Sequence, residues 1–261
     1  MSFLHAITLG LIQGITEFLP ISSSGHLILA REFFGLPIAG SLSFDVFMHL
    51  ATLLAIVIAL WGDIKRLVKD FFTEGPSSRS KKVIWALIIG TLPAAIMGYF
   101  FGDMLEEIFR NPHYIAYALV AGSIIFFIAD KIPKDISDGG GVTKLKGLFV
   151  GIFQTFALIP GVSRSGITIS GGLLFGLSRE EAIRFAFLLG IPTILGAGLK
   201  VLMDSSNILN FSDPTIWAGF VVAFLSGLLA IRFLIKFLSR HSFNLFIAYR
   251  LILAAVILFF L

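Results

Sequence analysis

The sequence predicts an all-α polytopic membrane protein, with six transmembrane helices and two re-entrant helical hairpins arranged as an inverted-topology repeat. Three observations carry this expectation. Hydrophobic residues make up 57% of the 261 and charged residues only 14%, well beyond the roughly 45–50% apolar content of soluble domains; the mean hydropathy is +0.95. Apolar runs of about 20 residues, enough to cross ~30 Å of hydrocarbon as a helix, recur along the chain. Two further apolar regions are each cut in the middle by proline, glycine and serine.

The first element is one of the broken regions, residues 2–36, interrupted at LPISSSG (19–25). Proline turns the preceding residue away from helix and serine is a preferred N-cap, so the region reads as helix, break, helix. Its first run has no basic n-region and no small-residue cleavage site, and is therefore expected to stay in the fold rather than be removed as a signal peptide. Spans follow at about 44–61, 83–101 and 113–129. The second broken region, 145–178, is interrupted at IPGVSRSG (159–166), and spans at about 184–202, 217–235 and 244–261 complete the set. Each arm after a break is about 12 or 13 residues long, roughly 18–20 Å, too short to cross. Both regions are thus expected to be hairpins whose tips stop near the midplane, a depth at which irregular backbone must be buried in protein or line a wet cavity.

The charges orient these elements. Lys and Arg total 20 against 16 Asp and Glu, a net +4, and in a polytopic protein such an excess is a topology signal rather than a nucleic-acid footprint. Lys65, Arg66, Lys69, Arg79, Lys81 and Lys82 crowd the connection after the first span. Lys131, Lys134, Lys144 and Lys146 follow the third, and Arg232, Lys236 and Arg240 flank the fifth-to-sixth connection. The opposite loops carry Arg110 beside Asp103, Glu106 and Glu107, then Lys200 before Asp204 and Asp213. Both termini are expected outside, with the first hairpin entering from the outside and the second from the cytoplasm. The absence of cysteine excludes disulfides, thiolate metal sites and cysteine nucleophiles.

Sliding the chain against itself by 141 positions aligns residues 10–55 with 151–196 without a gap. Gly10 meets Gly151, Gln13 meets Gln154, and Ser22, Ser24 and Gly25 meet Ser163, Ser165 and Gly166. Phe34-Gly35-Leu36 meets Phe175-Gly176-Leu177. The chain is therefore expected to be one membrane domain, 1–261, built of repeat 1 (about 1–130) and repeat 2 (about 142–261). Each half has one hairpin and three spans, an odd number of crossings, so the halves lie upside down relative to each other. Folds of this kind place a site at the midplane where the breaks meet.

The repeat is most informative where it fails: Glu17 faces Leu158, Ser23 faces Arg164, and His26 faces Ile167. A charge at the bilayer centre costs about 2.5–3.5 kcal/mol, so Glu17 and Arg164 need partners. Small residues after a helix break leave backbone N–H groups free for an anion. Ser22, Ser23, Ser24 and Gly25, with Ser163, Ser165, Gly166 and Thr168 on the other side, form two such cradles, and the forked donors of Arg164 suit a phosphate or diphosphate. Inside such a cradle a serine hydroxyl, Ser23 among them, could attack phosphorus given a base close by. His26, three residues on, is expected on the same helix face, and Glu17 to orient the imidazole, accept a proton or hold a divalent cation. His49, four residues after Asp45, reads as a structural histidine outside the site.

QGITEFLPISSSGH (13–26) together with PGVSRSGITISGG (160–172) resembles the undecaprenyl-diphosphate phosphatase family of bacteria, the bacitracin-resistance type, over essentially the whole chain. The resemblance implies a hydrolase of the bacterial plasma membrane that converts a long-chain isoprenyl diphosphate to its monophosphate for cell-wall synthesis, with Mg or Ca. It implies Ser23 as nucleophile, His26 as base, Glu17 as the acidic residue and Arg164 as the phosphate-binding arginine. Many members carry glutamate where this chain has Gln13, so Glu17 is left to act alone or with the amide. Lipid-phosphate transport is the alternative, since inverted repeats also build transporters. A homodimer is compatible with the sequence, and the outer side is the expected side of access.

Overall fold

The computed structural model describes residues 1–36, 42–75, 78–109, 111–132, 141–203 and 212–260. Arg110, Lys134 and Asp204 of the charge map, and the side chains of Asp103 and Glu106, lie outside that description. Among the described residues the chain is all-helical, without strands. The order is α1 (Phe3–Phe18), α2 (Ser23–Phe33), α3 (Leu42–Ala59), α4 (Trp61–Thr73), α5 (Arg79–Ile108), α6 (Pro112–Asp130), α7 (Lys144–Thr155), a 3-10 turn (Phe156–Leu158), α8 (Arg164–Leu174), α9 (Arg179–Met203), α10 (Pro214–Leu238) and α11 (Asn244–Phe260). Helix starts follow the local chemistry. Ser2, Ser78, Asn111, Thr143 and Asp213 each accept a first-turn N–H, and Pro112 and Pro214 stand where a missing N–H costs nothing.

Four helices, α5, α6, α9 and α10, are long and apolar enough to cross a membrane, and a fifth span arises if the bent pair α3–α4 counts as one. The expected span at 44–61 ends at Ala59 and turns by 70° into α4. The loop expected around Lys65, Arg66 and Lys69 is thus a helix. Its Trp61, Ile64, Val68 and Phe72 fall at helical spacing along one side, with Asp63, Arg66 and Asp70 on the other, and none of its residues is fully buried, the pattern of a helix lying in the membrane interface. Elsewhere Phe33, Leu229 and Phe259 stand at least two-thirds exposed, as lipid-facing residues do.

The two most extensive helix pairings in the bundle are close backbone crossings. α1 lies along α10, and α7 along α5. A Cβ added at Gly10 would stand 2.4 Å from the Gly219 carbonyl oxygen, and one at Gly151 2.2 Å from that of Gly90. Close backbone approach is what drives helix association in lipid, where apolar side chains gain nothing by leaving their surroundings. These two glycines are the first aligned pair of the 141-residue offset. The breaks match in the same way. α2 and α8 are both 11 residues long, about 16 Å. The residues before them, Ser22 and Ser163, have φ of 76° and 78°, the non-glycine residues with positive φ among those described.

Candidate active site

The two breaks converge on the carboxylate of Glu17, in the last turn of α1. Ser23 Oγ donates to Oε2 at 2.6 Å, and Arg164 Nη2 donates to Oε1 at 2.9 Å. Ser23 and Arg164 are the first residues of α2 and α8, the same step of the two repeated turns. Gln13, one turn back on α1, donates its Nε2 to Oε2 at 3.1 Å, and His49 from α3 brings Nε2 to 3.5 Å from the same oxygen. Glu17 is 6% exposed.

Strained serines shape both turns. A left-handed φ costs a non-glycine residue of order 1 kcal/mol, and here side chains hold it. Ser22 Oγ accepts the N–H of Gly25 (3.4 Å) and, across to the other break, that of Gly161 (3.0 Å). Ser163 Oγ accepts the N–H of Gly166 (3.4 Å). The first N–H groups of α2 and α8 stay outside the helical ladder, the arrangement that binds anions. Ser165 Oγ ties its turn to the Leu19 carbonyl at 3.3 Å.

A cavity of about 300 Å³ opens between these turns. Glu17, Ser23, Ser24, His49, Gln154 and Arg164 put polar groups on it, among apolar walls such as Val46, Leu158 and Ile194. Arg164 Nη1 and both amide atoms of Gln154 are buried and without a hydrogen-bond partner among the described residues. Unpaired buried polar groups cost about 1–3 kcal/mol each, and an anion in the cavity would accept from the two donors among them, Arg164 Nη1 and Gln154 Nε2. Gly190 makes room for the guanidinium: a Cβ there would stand 1.9 Å from Arg164 Nη1.

Of the residues singled out in the sequence, Glu17, Ser22, Ser23, Ser24, Ser163 and Arg164 line the cavity. His26 is turned elsewhere. Its Nδ1 lies 2.7 Å from the Ser22 carbonyl oxygen and its Nε2 2.7 Å from the Tyr249 hydroxyl, so both nitrogens are engaged and the ring supports the Ser22 turn instead of facing Ser23. Thr168 is bonded to its own helix at the carbonyls of Arg164 and Ser165. Gln13 acts on Glu17, while Gly25, Ser165 and Gly166 shape the turns from behind; a Cβ at Gly166 would meet the Phe126 ring at 2.0 Å. His49 and Gln154 were missed. Gln154 had a signal, its alignment with Gln13; the approach of His49 depends on how α3 crosses α1, which sequence order does not carry.

A divalent cation does not fit these donors as a resident group. Among the described residues Glu17 is the sole carboxylate on the cavity lining, and its oxygens are taken by Arg164, Ser23 and Gln13. Hard cations require several oxygen ligands, and among the described residues no group of three His, Cys, Asp or Glu is placed to hold one.

The family described as bacitracin resistance protein BacA matches residues 6–256. The chain belongs to that family. Within the BacA family, similar proteins include the undecaprenyl-diphosphatase of Moorella thermoacetica, 45% identical over 98% of this chain and 97% of its own. That of Elusimicrobium minutum is 41% identical over 99% and 98%, and that of Methanobrevibacter smithii 36% identical over 98% and 97%.

Proposed function

We propose that this chain hydrolyses undecaprenyl diphosphate to undecaprenyl phosphate and inorganic phosphate, recycling the lipid carrier used in cell-wall synthesis and so opposing bacitracin. The observation that carries this reading is the Glu17 carboxylate, which holds a serine hydroxyl on one oxygen and an arginine on the other at the floor of an anion cradle. The terminal phosphate lies between the two turns, on the free donors of Arg164, Gln154 and the N-termini of α2 and α8. Glu17 takes the proton of Ser23 as Oγ bonds to phosphorus, and the bond to the bridging oxygen breaks to release the monophosphate lipid. Water then cleaves the phosphoseryl bond: its oxygen bonds to phosphorus, its hydrogens leave with the inorganic phosphate, and Glu17 returns its proton to Ser23 Oγ. Arg164 and the helix N-termini offset the charge that spreads over the phosphoryl oxygens in both steps. Mg or Ca belongs to this reading as a counter-ion carried by the diphosphate. A lipid carrier without chemistry would have no use for a hydroxyl held on a carboxylate, which favours hydrolysis over transport.

The reading includes the topology of six spans and two re-entrant hairpins as inverted halves in the bacterial plasma membrane, with termini and site on the outer side. Support comes from the cavity lining. It draws on the first half of α3 (Val46, His49) and the second half of α9 (Thr193, Ile194), whereas Lys65 and Arg66 lie in α4, which follows the other end of α3, and Arg179 opens α9. Every group of the site comes from one chain, so a homodimer would not be needed to complete it.

The test is phosphate release from undecaprenyl diphosphate by purified protein, with and without chelator. Wild type should turn over, Ser23→Ala should lose about 10³-fold or more in kcat, and Arg164→Lys, which keeps charge but loses the fork, about 10²-fold. Full turnover by Ser23→Ala would transfer the attack to water.

A further inference from the structure

Arg250, in the middle of α11, has the largest fully buried side chain among the described residues, and no step above uses it. It does not line the cavity. Its Nη1 donates to the Pro20 carbonyl at 3.3 Å and its Nη2 to the Gly161 carbonyl at 3.0 Å. Pro20 and Gly161 are the same position of the two breaks, 141 residues apart. The remaining bonds go to α6: Nη2 to the carbonyls of Ala118 and Leu119, and Nε to that of Leu119 and to Ser123 Oγ. The centre of the Phe126 ring lies 4.6 Å from the guanidinium carbon. All these partners are neutral.

A buried guanidinium held only by neutral groups is costly, and an apolar side chain of similar volume would serve packing better. What the guanidinium adds is a rigid planar fork whose arms reach two separate carbonyls at once. Ser23 lies three residues after Pro20, and Arg164 three residues after Gly161. A change in the separation of those carbonyls therefore passes to both groups that grip Glu17. We propose that Arg250 is a positioning residue, a clasp on equivalent points of the two breaks that sets the distance from Ser23 to Arg164 across Glu17. The cross-break bonds from Gly161 N–H to Ser22 Oγ and from Ser165 Oγ to the Leu19 carbonyl work in the same direction without reaching both breaks from outside. Displacement of reacting groups by about 1 Å costs on the order of 10²-fold in rate.

This inference rests on the phosphatase reading, and the two fail differently. Wild type, Arg164→Ala, Arg250→Lys and Gly122→Ala are purified in detergent, checked for monodispersity and assayed for phosphate release from farnesyl diphosphate. Arg250→Lys keeps a cation but loses the fork. Gly122→Ala keeps Arg250 and places a Cβ 2.4 Å from its Nη2, shifting the clasp without removing it. We expect kcat to fall about 10²-fold in Arg250→Lys and about 10-fold in Gly122→Ala, with KM within about threefold of wild type in both. Unchanged kcat in either folded variant, or a raised KM with kcat retained, overturns the proposal, and Gly122→Ala decides alone if Arg250→Lys does not fold. If wild type releases no phosphate, the phosphatase reading fails instead. The clasp is then judged by spin labels on cysteines introduced at Ser24 and Ala157: a broader distance distribution in Arg250→Lys supports it, and an unchanged one overturns it.

Discussion

Ser23 and Arg164 stand at one step of two repeated turns, yet only one carries charge, and the surroundings of each are built for what it carries. The pocket for the guanidinium is the clearer case. Gly190 leaves the space that Arg164 Nη1 fills, so Gly190→Ala should push the guanidinium off Glu17 and lower kcat by about 10-fold or more while the protein still purifies intact, measured by phosphate release and by thermal unfolding in detergent. The acid, the hydroxyl and the guanidinium were readable as chemistry from the failure of the repeat at Glu17, Ser23 and Arg164. The imidazole was not. Helical side chains lean toward the N-terminus, and the His26 ring leans back onto the Ser22 carbonyl and sideways onto Tyr249, so a three-residue spacing did not place it against Ser23. The base-like ring that does approach the site, His49, comes from another helix.

The elements themselves were largely visible. Long apolar runs marked α5, α6, α9 and α10 because lipid demands a length and a composition together, and the breaks were marked by Pro20 and by Pro160-Gly161 before serine caps. What escaped was α4, whose apolar and basic residues alternate at helical spacing, so that a scan for continuous hydrophobicity sees only a basic loop. Also invisible was the pairing of α1 with α10 and of α7 with α5, which depends on glycine surfaces meeting across more than 60 positions of chain. Gly151→Val should force α7 from α5 where a Cβ would already lie 2.2 Å from the Gly90 oxygen. We expect a loss of about 3 kcal/mol or more, seen as protein that inserts but aggregates on solubilisation, whereas Gly62→Val in α4, where a Cβ meets nothing within 4 Å, should purify normally.

At the scale of the molecule, the absence of cysteine makes the proposed orientation directly measurable. A cysteine replacing Ser2 should react with a membrane-impermeant maleimide on intact cells, and one replacing Lys65 in α4 only after permeabilisation; the reverse pattern would invert the topology and move the cavity to the other face. The charge map predicts this result because basic residues resist translocation, and α4 adds an interfacial anchor on the same side.

The size of the cavity has a consequence of its own. A space of about 300 Å³ takes a diphosphate headgroup but not a prenyl chain of many isoprene units, leaving most of that many-carbon tail in the bilayer. The enzyme would then be blind to how long that tail is, and selection among carriers would fall to whichever prenyl chain the membrane holds in reach.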